Sequence, residues 1–218
     1  MVKHKIKIHP IAKDGFYFAV PFFLIAVSFY LVGFKAISVI AFICSLFSIF
    51  FFRDPKRIIR MQPNSIVSAA DGKIKAIEEI YESTYLKEPA VKIVTFLSPF
   101  NVHINRAPIN GVITNKTYEK GKYYPAFMKK AHKNQKNYVF IENEDLSVIA
   151  IQMVGSLARR IVSWVDIGQS IDKGGKIGLI RFGSRTDVII PKSKLDKILV
   201  KPGDKVKAGE SILATTKK

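Results

Sequence analysis

The stretch Val165-x-x-Gly-x-x-Ile-x-x-Gly-x-x-Ile177 recurs later in the chain as Val200-x-x-Gly-x-x-Val-x-x-Gly-x-x-Ile212. Glycine alternating with β-branched residues is typical of short strands joined by tight turns, because glycine readily adopts the positive φ that such turns need. A second pair of segments echoes in the same way, Asp71-Gly-Lys-Ile74 and Asn110-Gly-Val-Ile113. The two echoes predict a β domain built from two related halves.

The repeated frame resembles the hammerhead of biotinyl and lipoyl carrier folds. The rest of the chain after Arg53 agrees with a β fold, since β-branched runs such as 91–96 and 146–151 alternate with Pro, Gly, Asn and Asp. We therefore predict a mostly β protein, a compact β-sandwich or barrel of two hammerhead-like halves. A lipoyl-like carrier domain is an alternative, but carriers present their lysine at a hairpin tip. Lys173 and Lys205 fall inside the frames instead.

The segment Arg181-Phe-Gly-Ser-Arg185 lies between the two frames and precedes an alternating strand-like run that stops at Pro191. One interpretation is a hairpin turn in which Gly183 supplies a positive φ. The other is self-cleavage, in which the Ser184 hydroxyl attacks the preceding carbonyl carbon. The local residues alone leave both interpretations open.

Residues 178–188 closely resemble the self-processing site of the phosphatidylserine decarboxylase proenzymes, in the short form found in many bacteria and archaea. The resemblance implies that the Gly183–Ser184 bond breaks and that Ser184 becomes an amino-terminal pyruvoyl group, a covalent cofactor. The mature protein would then be a heterodimer of two fragments, residues 1–183 and 184–218.

The stretch Ser98-Pro-Phe-Asn-Val-His103-Ile-Asn-Arg-Ala-Pro108 matches the family motif Ser-Pro-x-x-x-His-x-x-x-x-Pro, whose histidine is required for catalysis. Longer members carry a second histidine where this chain has Arg106, and that second histidine belongs to their processing triad. The base that activates Ser184 is therefore open, and His103 is the candidate for both roles. Arg106 stays protonated, so it is a candidate ligand for a phosphate and not a base.

Asp71 lies in Ser68-Ala-Ala-Asp-Gly-Lys73, which resembles the Pro-x-Asp-Gly segment whose aspartate completes the triad. An ordinary Asp-Gly turn is the alternative. A nucleophilic serine needs a base, and the base needs an orienting group, so Asp71, His103 and Ser184 form the expected catalytic set.

Paired arginines occur in a third matching stretch, residues 155–162, which resembles the family's Gly-x-x-Ala-Arg-Arg-Ile-Val segment. We expect Arg159 and Arg160, together with Arg106, to bind the substrate phosphate, although a solvated surface is the ordinary role of such pairs.

The composition indicates an anionic partner. The 218 residues include 35 Lys and Arg against 17 Asp and Glu, a net charge of +18, which suits a nucleic acid or an anionic lipid surface. Tyrosines among lysines in residues 116–130 would fit a membrane-tethered nucleic-acid-binding protein, but they occur without a recognised nucleic-acid motif. We therefore expect an anionic membrane and no nucleic acid. The single cysteine and the histidine spacing predict no metal site.

Two uncharged runs, residues 15–34 and 36–52, precede the β domain. Each is close to the roughly 20 residues that span a bilayer as helix. Lysines before the first run, and Arg53 to Arg60 after the second, place both ends in the cytoplasm. The runs are too long for a cleaved signal peptide, and neither has the polar face of a soluble hairpin. We expect a membrane hairpin in residues 1–60, either a full hairpin or a shallow re-entrant one, with a tight turn near Gly33 to Lys35. The decarboxylase domain, residues 61–218, is expected on the cytoplasmic side of the cell (inner) membrane.

The resemblance extends from the apolar runs to the C-terminus. It implies a self-processing carboxy-lyase of phospholipid synthesis that converts phosphatidylserine to phosphatidylethanolamine and carbon dioxide. The pyruvoyl carbonyl would accept the electron pair released with carbon dioxide, and His103 would return the proton.

Overall fold

The computed structural model divides into two compact units, one ending at Lys56 and one beginning at Arg57. Residues 57–60, which the sequence-based division assigned to the N-terminal part, group with the second unit. Arg159 and Gly183 of the predicted site lie outside the described residues, as do Lys3, Lys5 and Lys7 of the basic flank. The structure describes residues 11–60, 62–126, 128–156, 160–181 and 184–217.

The first unit is a pair of helices, α1 (Lys13–Leu31) and α2 (Lys35–Phe51), joined through Gly33 at a φ of +90°. Small side chains line the contact between them, and the hydroxyl of Ser45 donates across it to the carbonyl oxygen of Ala19 at 2.8 Å. Such contacts are typical of helices packed in lipid. The predicted helical hairpin is confirmed, and α1 is long and apolar enough to cross a membrane.

The described residues of the second unit form strands and a 3-10 helix at Lys129–Lys133. Within the described residues the strands are β1 (Ser65–Val67), β2 (Gly72–Glu82), β3 (Glu88–Leu97), β4 (Ile104–Arg106), β5 (Gly111–Glu119), β6 (Lys136–Glu142), β7 (Ser147–Val154), β8 (Ile161–Ser163), β9 (Ser170–Ile171), β10 (Lys176–Ile180), β11 (Ser184–Pro191), β12 (Leu195–Ile198), β13 (Lys205–Val206) and β14 (Ile212–Thr216).

Three antiparallel sheets result from these strands. The largest has eight strands in the order β13-β2-β3-β11-β7-β6-β5-β9, and two three-stranded sheets have the orders β4-β10-β8 and β1-β14-β12. Strand β11 lies inside the large sheet between β3 and β7. Alternate side chains of β11 face opposite sides, so that Val188 and Ile190 join the main core while Ile189 packs in a second cluster.

The sequence echo is a structural repeat. Gly72 at the start of β2 pairs with Val206 of β13, and Gly111 at the start of β5 pairs with Ile171 of β9. Both positions require glycine, because an added Cβ would lie 2.1 Å from the carbonyl oxygen of Phe96 or 2.2 Å from that of Glu142. The register of both strands also shifts shortly after the glycine, between 74 and 76 and between 113 and 115.

The hammerhead turns of the two halves meet each other. Gly174 donates its N–H to the carbonyl of Ala107, and Gly209 donates to Ser68, both at 2.8 Å. The φ angles of Gly174 and Gly209 are +76° and +77°. An added Cβ at either glycine would lie within 3 Å of Cδ1 of Ile59, at 2.4 and 2.7 Å. The predicted fold, a mostly β domain of two hammerhead-like halves after a helical hairpin, is confirmed.

Candidate active site

Ser184 is the first residue of β11 and pairs with Leu97 of β3 and Val154 of β7. Its side chain is fully buried on the same face as Val188 and Ile190. Among the described residues the Ser184 hydroxyl has no hydrogen-bond partner. Leaving a buried hydroxyl unpaired costs about 1–3 kcal/mol, so such a group calls for a functional explanation.

His103 follows a turn that Asn101 stabilises. The side-chain oxygen of Asn101 accepts hydrogen bonds from the N–H and the hydroxyl of Ser98, at 2.9 and 2.8 Å. Nδ1 of His103 lies 2.9 Å from the backbone oxygen of Asn101. Because a carbonyl oxygen only accepts, Nδ1 must carry the proton in the neutral ring, and Nε2 then holds the lone pair. The buried Nε2 atom is therefore the basic nitrogen of His103.

His103 and Ser184 belong to the same junction between sheets. Strand β3 ends at Leu97, the partner of Ser184, and the chain then turns toward His103. The backbone oxygen of His103 accepts a hydrogen bond from Ile180 at the end of β10, which leads to Ser184. The serine and the histidine segments thus both lie where the large sheet meets the sheet β4-β10-β8.

Asp71 precedes β2 and is largely buried. Nη2 of Arg57 donates to Oδ1 and Oδ2 of Asp71 at 2.9 and 2.8 Å, and the N–H of Ala208 donates to Oδ1 at 2.8 Å. Among the described residues these groups, and not His103, are the hydrogen-bond partners of Asp71. The backbone of Asn101 orients the imidazole in place of a carboxylate. The effect of Asp71 on cleavage stays a prediction.

A chain of buried polar side chains runs beside Ser184. Nδ2 of Asn137 donates to Gln152, Nε2 of Gln152 donates to Asn105, and Nδ2 of Asn105 donates to the hydroxyl oxygen of Thr186, each at 2.9 Å. Thr186 stands two residues after Ser184 on the same face of β11. The chain of hydrogen bonds therefore fixes the strand that carries the serine.

Two of the three predicted phosphate ligands, Arg106 and Arg160, lie among the described residues and differ in their surroundings. Arg106 is buried, and its Nη1 donates to the backbone oxygen of Gly174 at 2.9 Å. Arg160 is exposed, and it directly follows Arg159, which lies outside the described residues. Arg160 is consequently better placed than Arg106 to meet an anionic ligand from solvent, and phosphate binding by all three stays a prediction.

Arg185 and Asp187 lie on the opposite face of β11 from Ser184. Nε and Nη2 of Arg185 donate to the two carboxylate oxygens of Asp187, each at 2.7 Å. Burial raises the pKa of Asp187, and the hydrogen bonds from Arg185 act in the opposite direction. This buried ion pair lies on the face of the sheet that carries the second cluster and is separate from the serine.

Lys173, one of the lysines considered for a carrier domain, is held in place. Its Nζ donates to the backbone oxygen of Gln62 at 3.0 Å and to the hydroxyl of Ser65 at 3.1 Å. Burial lowers the pKa of Lys173. A carrier lysine has to be displayed on a mobile tip, so these contacts argue against that alternative.

Sequence reasoning missed Arg57, Gln152 and Thr186. It counted Arg57 only among the basic residues after the helices, because nothing local indicates its partner. Thr186 is hard to single out, because Ser184, Arg185 and Asp187 around it are also polar. Gln152 could have been found, since it is a polar residue at a buried position of the otherwise apolar run 148–154. Such positions are rarely polar unless the side chain has a partner.

Comparison with known proteins gives the family. Residues 44–214 match the phosphatidylserine decarboxylase family. The phosphatidylserine decarboxylase proenzyme of Carboxydothermus hydrogenoformans is 40% identical over 206 residues, which cover 94% of this chain and 96% of that protein. The proenzymes of Desulfotalea psychrophila and Syntrophus aciditrophicus are 37% and 38% identical, over 94% of this chain and 95% and 97% of theirs. The resemblance seen in the sequence is confirmed: the chain belongs to the phosphatidylserine decarboxylase family.

Proposed function

We propose that the protein is a self-processing, pyruvoyl-dependent decarboxylase that converts phosphatidylserine to phosphatidylethanolamine and carbon dioxide in phospholipid synthesis. The observation that carries the proposal is the buried Ser184 hydroxyl at the start of β11, at the same sheet junction as His103. Membership of the family supports the substrate and the reaction.

Self-processing begins at Ser184. Its hydroxyl transfers a proton to Nε2 of His103 while the oxygen attacks the carbonyl carbon of Gly183. The bond from that carbon to the Ser184 nitrogen breaks, the nitrogen takes the proton, and an ester joins Gly183 to the Ser184 oxygen. Loss of the Ser184 Cα proton expels the Gly183 carboxylate and leaves a dehydroalanine. Water then replaces the nitrogen, which departs as ammonia, and a keto group remains.

The surroundings of Ser184 suit a pyruvoyl group, which is small and uncharged. The position is fully buried, and the neighbouring polar side chains of Asn105 and Thr186 already have partners. The pyruvoyl group supplies a carbonyl that accepts the electron pair released as carbon dioxide leaves. His103 is the residue suited to deliver the proton that replaces the carboxylate on the substrate carbon.

The strand pairing supports a stable heterodimer after cleavage. Residues 184–218 contribute β11, which pairs along its length with β3 and β7 of the larger fragment. They also contribute β13, which pairs with β2, and β14, which pairs with β1. A fragment this short cannot bury a core of its own, so both fragments are needed for the fold.

The proposal includes an anionic membrane as the working surface, with the catalytic domain on the cytoplasmic side of the cell (inner) membrane. The apolar helices support it, and so does the basic segment after α2, which includes Arg53 and Lys56. Arg159 and Arg160 are proposed to bind the phosphate of the lipid.

The test is decarboxylation of phosphatidylserine in mixed detergent micelles by the purified full-length chain. Carbon dioxide release is expected from the wild type and from Ser147→Ala, a matched control at the start of β7. Ser184→Ala should release none, since it lacks the cofactor precursor. Activity in Ser184→Ala, or none in a wild type that has been cut, would overturn the proposal.

A further inference from the structure

Arg57 and Asp71 form an ion pair that is shielded from solvent. The exposed fractions of their side chains are 6% and 12%. One guanidinium nitrogen reaches both carboxylate oxygens, and the N–H of Ala208 adds a third donor. The contact lies within the β unit, at the segment that immediately precedes β2.

The segment that carries Arg57 is fixed at further points. The N–H of Ile58 donates to the carboxylate of Glu210 at 3.4 Å, and Nη1 of Arg57 lies 3.9 Å from the same oxygen. The side chain of Ile59 occupies the space beside Gly174 and Gly209, where the two halves meet. Arg57 is therefore held in a defined position and can in turn hold Asp71.

The segment before Asp71 supports the strand that follows His103. The backbone oxygen of Ala69 accepts hydrogen bonds from the N–H of Arg106 at 2.9 Å and from Nδ2 of Asn105 at 3.5 Å. Asn105 also donates a hydrogen bond to Thr186, which lies on the strand that begins with Ser184. A continuous series of contacts thus leads from Arg57 through Asp71 to the segments of both catalytic residues.

We infer that Arg57 is a positioning residue for self-cleavage, which acts by holding Asp71 and, through the 69–71 segment, the strand after His103. The inference rests on the proposed function, because it concerns cleavage at Ser184. It differs from the expected triad, since Asp71 here acts through the backbone it fixes and not through a direct bond to the imidazole.

The experiment follows the appearance of the 184–218 fragment after cell-free synthesis of the full-length chain in detergent. Arg57→Gln should slow cleavage about tenfold, the change expected for losing a charge-assisted pair. Arg60→Gln is the matched control: it removes the same charge from an exposed position of the same segment and should cleave at the wild-type rate. Arg57→Lys should fall between, because an ammonium cannot reproduce the guanidinium geometry.

Two further measurements separate positioning from a general loss of stability. In the Asp71→Asn background, Arg57→Gln should cause no additional slowing, because its effect passes through Asp71. Dilute guanidinium chloride, far below denaturing concentrations, should partly restore cleavage by Arg57→Ala, which lacks the side chain but keeps the pocket.

Wild-type cleavage by a folded Arg57→Gln, multiplicative effects of the two substitutions, or an absence of rescue would each overturn the inference. A wild-type chain that is never cut between Gly183 and Ser184 would instead overturn the proposed function, and the mass of the wild-type fragment distinguishes the two failures.

Discussion

Asn105 and Thr186 are joined by a hydrogen bond of 2.9 Å from Nδ2 to the hydroxyl oxygen, and both side chains are fully buried. Asn105 stands two residues after His103, and Thr186 stands two residues after Ser184. The bond consequently ties the histidine segment to the serine strand, across a sequence separation of 81 positions. This hydrogen bond helps to keep the distance between the base and the nucleophile constant during cleavage.

Replacing Asn105 by Leu should slow self-cleavage and destabilise the uncut chain. The substitution removes the hydrogen-bond partner that Asn105 provides to Nε2 of Gln152 and to the hydroxyl of Thr186. Leaving such buried groups unpaired should lower the free energy of unfolding by about 1–3 kcal/mol. Denaturant unfolding of the Ser184→Ala background measures the stability, and fragment release measures cleavage. Thr186→Val removes only the far end of the bond and should have the smaller effect. Unchanged cleavage in a destabilised Asn105→Leu would limit the bond to a structural role.

The glycines that open β2 and β5 should not tolerate a side chain. In Gly72→Ala or Gly111→Ala the new methyl group would lie 2.1 or 2.2 Å from a backbone carbonyl oxygen of the neighbouring strand. Relieving that overlap by moving the strand should cost about 1–3 kcal/mol of unfolding free energy. The control is Val112→Ala, at the exposed neighbour of Gly111. Equal unfolding free energies for Gly111→Ala and this control would contradict the close approach.

The paired arginines should affect substrate binding and leave self-cleavage intact. Arg159→Gln and Arg160→Gln are each expected to raise KM for phosphatidylserine. The reason is that losing a charge-assisted contact costs roughly 1.5–3 kcal/mol of binding free energy. Arg106→Gln should in addition lower stability, because the Arg106 guanidinium donates to the backbone of Gly174. Initial rates at varied surface fractions of the lipid in mixed micelles measure KM. If KM is unchanged in both Arg159→Gln and Arg160→Gln, the pair is an ordinary solvated surface.

The helical hairpin should keep the full-length chain in membranes during alkaline carbonate extraction. Placing lysine at Leu24 and Val27, which are exposed on α1, should release the chain, since a charge at the centre of a membrane helix costs about 2.5–3.5 kcal/mol. Leu24→Ala with Val27→Ala is the apolar control and should stay in the membrane fraction. Release of the wild type by carbonate would exclude an integral hairpin.

The sequence predicted those features that repeat or that alternate locally. The doubled glycine frame was enough for the two-half β fold, because the four glycines 168, 174, 203 and 209 all adopt the positive φ that such turns need. Ser184 and His103 stood out because their segments match a family motif. The partner of Asp71 could not be predicted, since Arg57 meets it only after the whole unit has folded. The orientation of His103 was missed for a different reason: it depends on the backbone oxygen of Asn101, which any residue could supply.

The central claim is that the chain cuts itself between Gly183 and Ser184, and intact-mass spectrometry of the purified protein tests it most directly. We expect two fragments, residues 1–183 and 184–218, the smaller one lighter by one ammonia than a peptide beginning with serine and resistant to amine-directed sequencing. Ser184→Ala should give a single uncut chain, and His103→Ala should be cut slowly or not at all. A fully active wild type with the mass of one intact chain of 218 residues would contradict the assignment of Ser184 and the pyruvoyl mechanism with it.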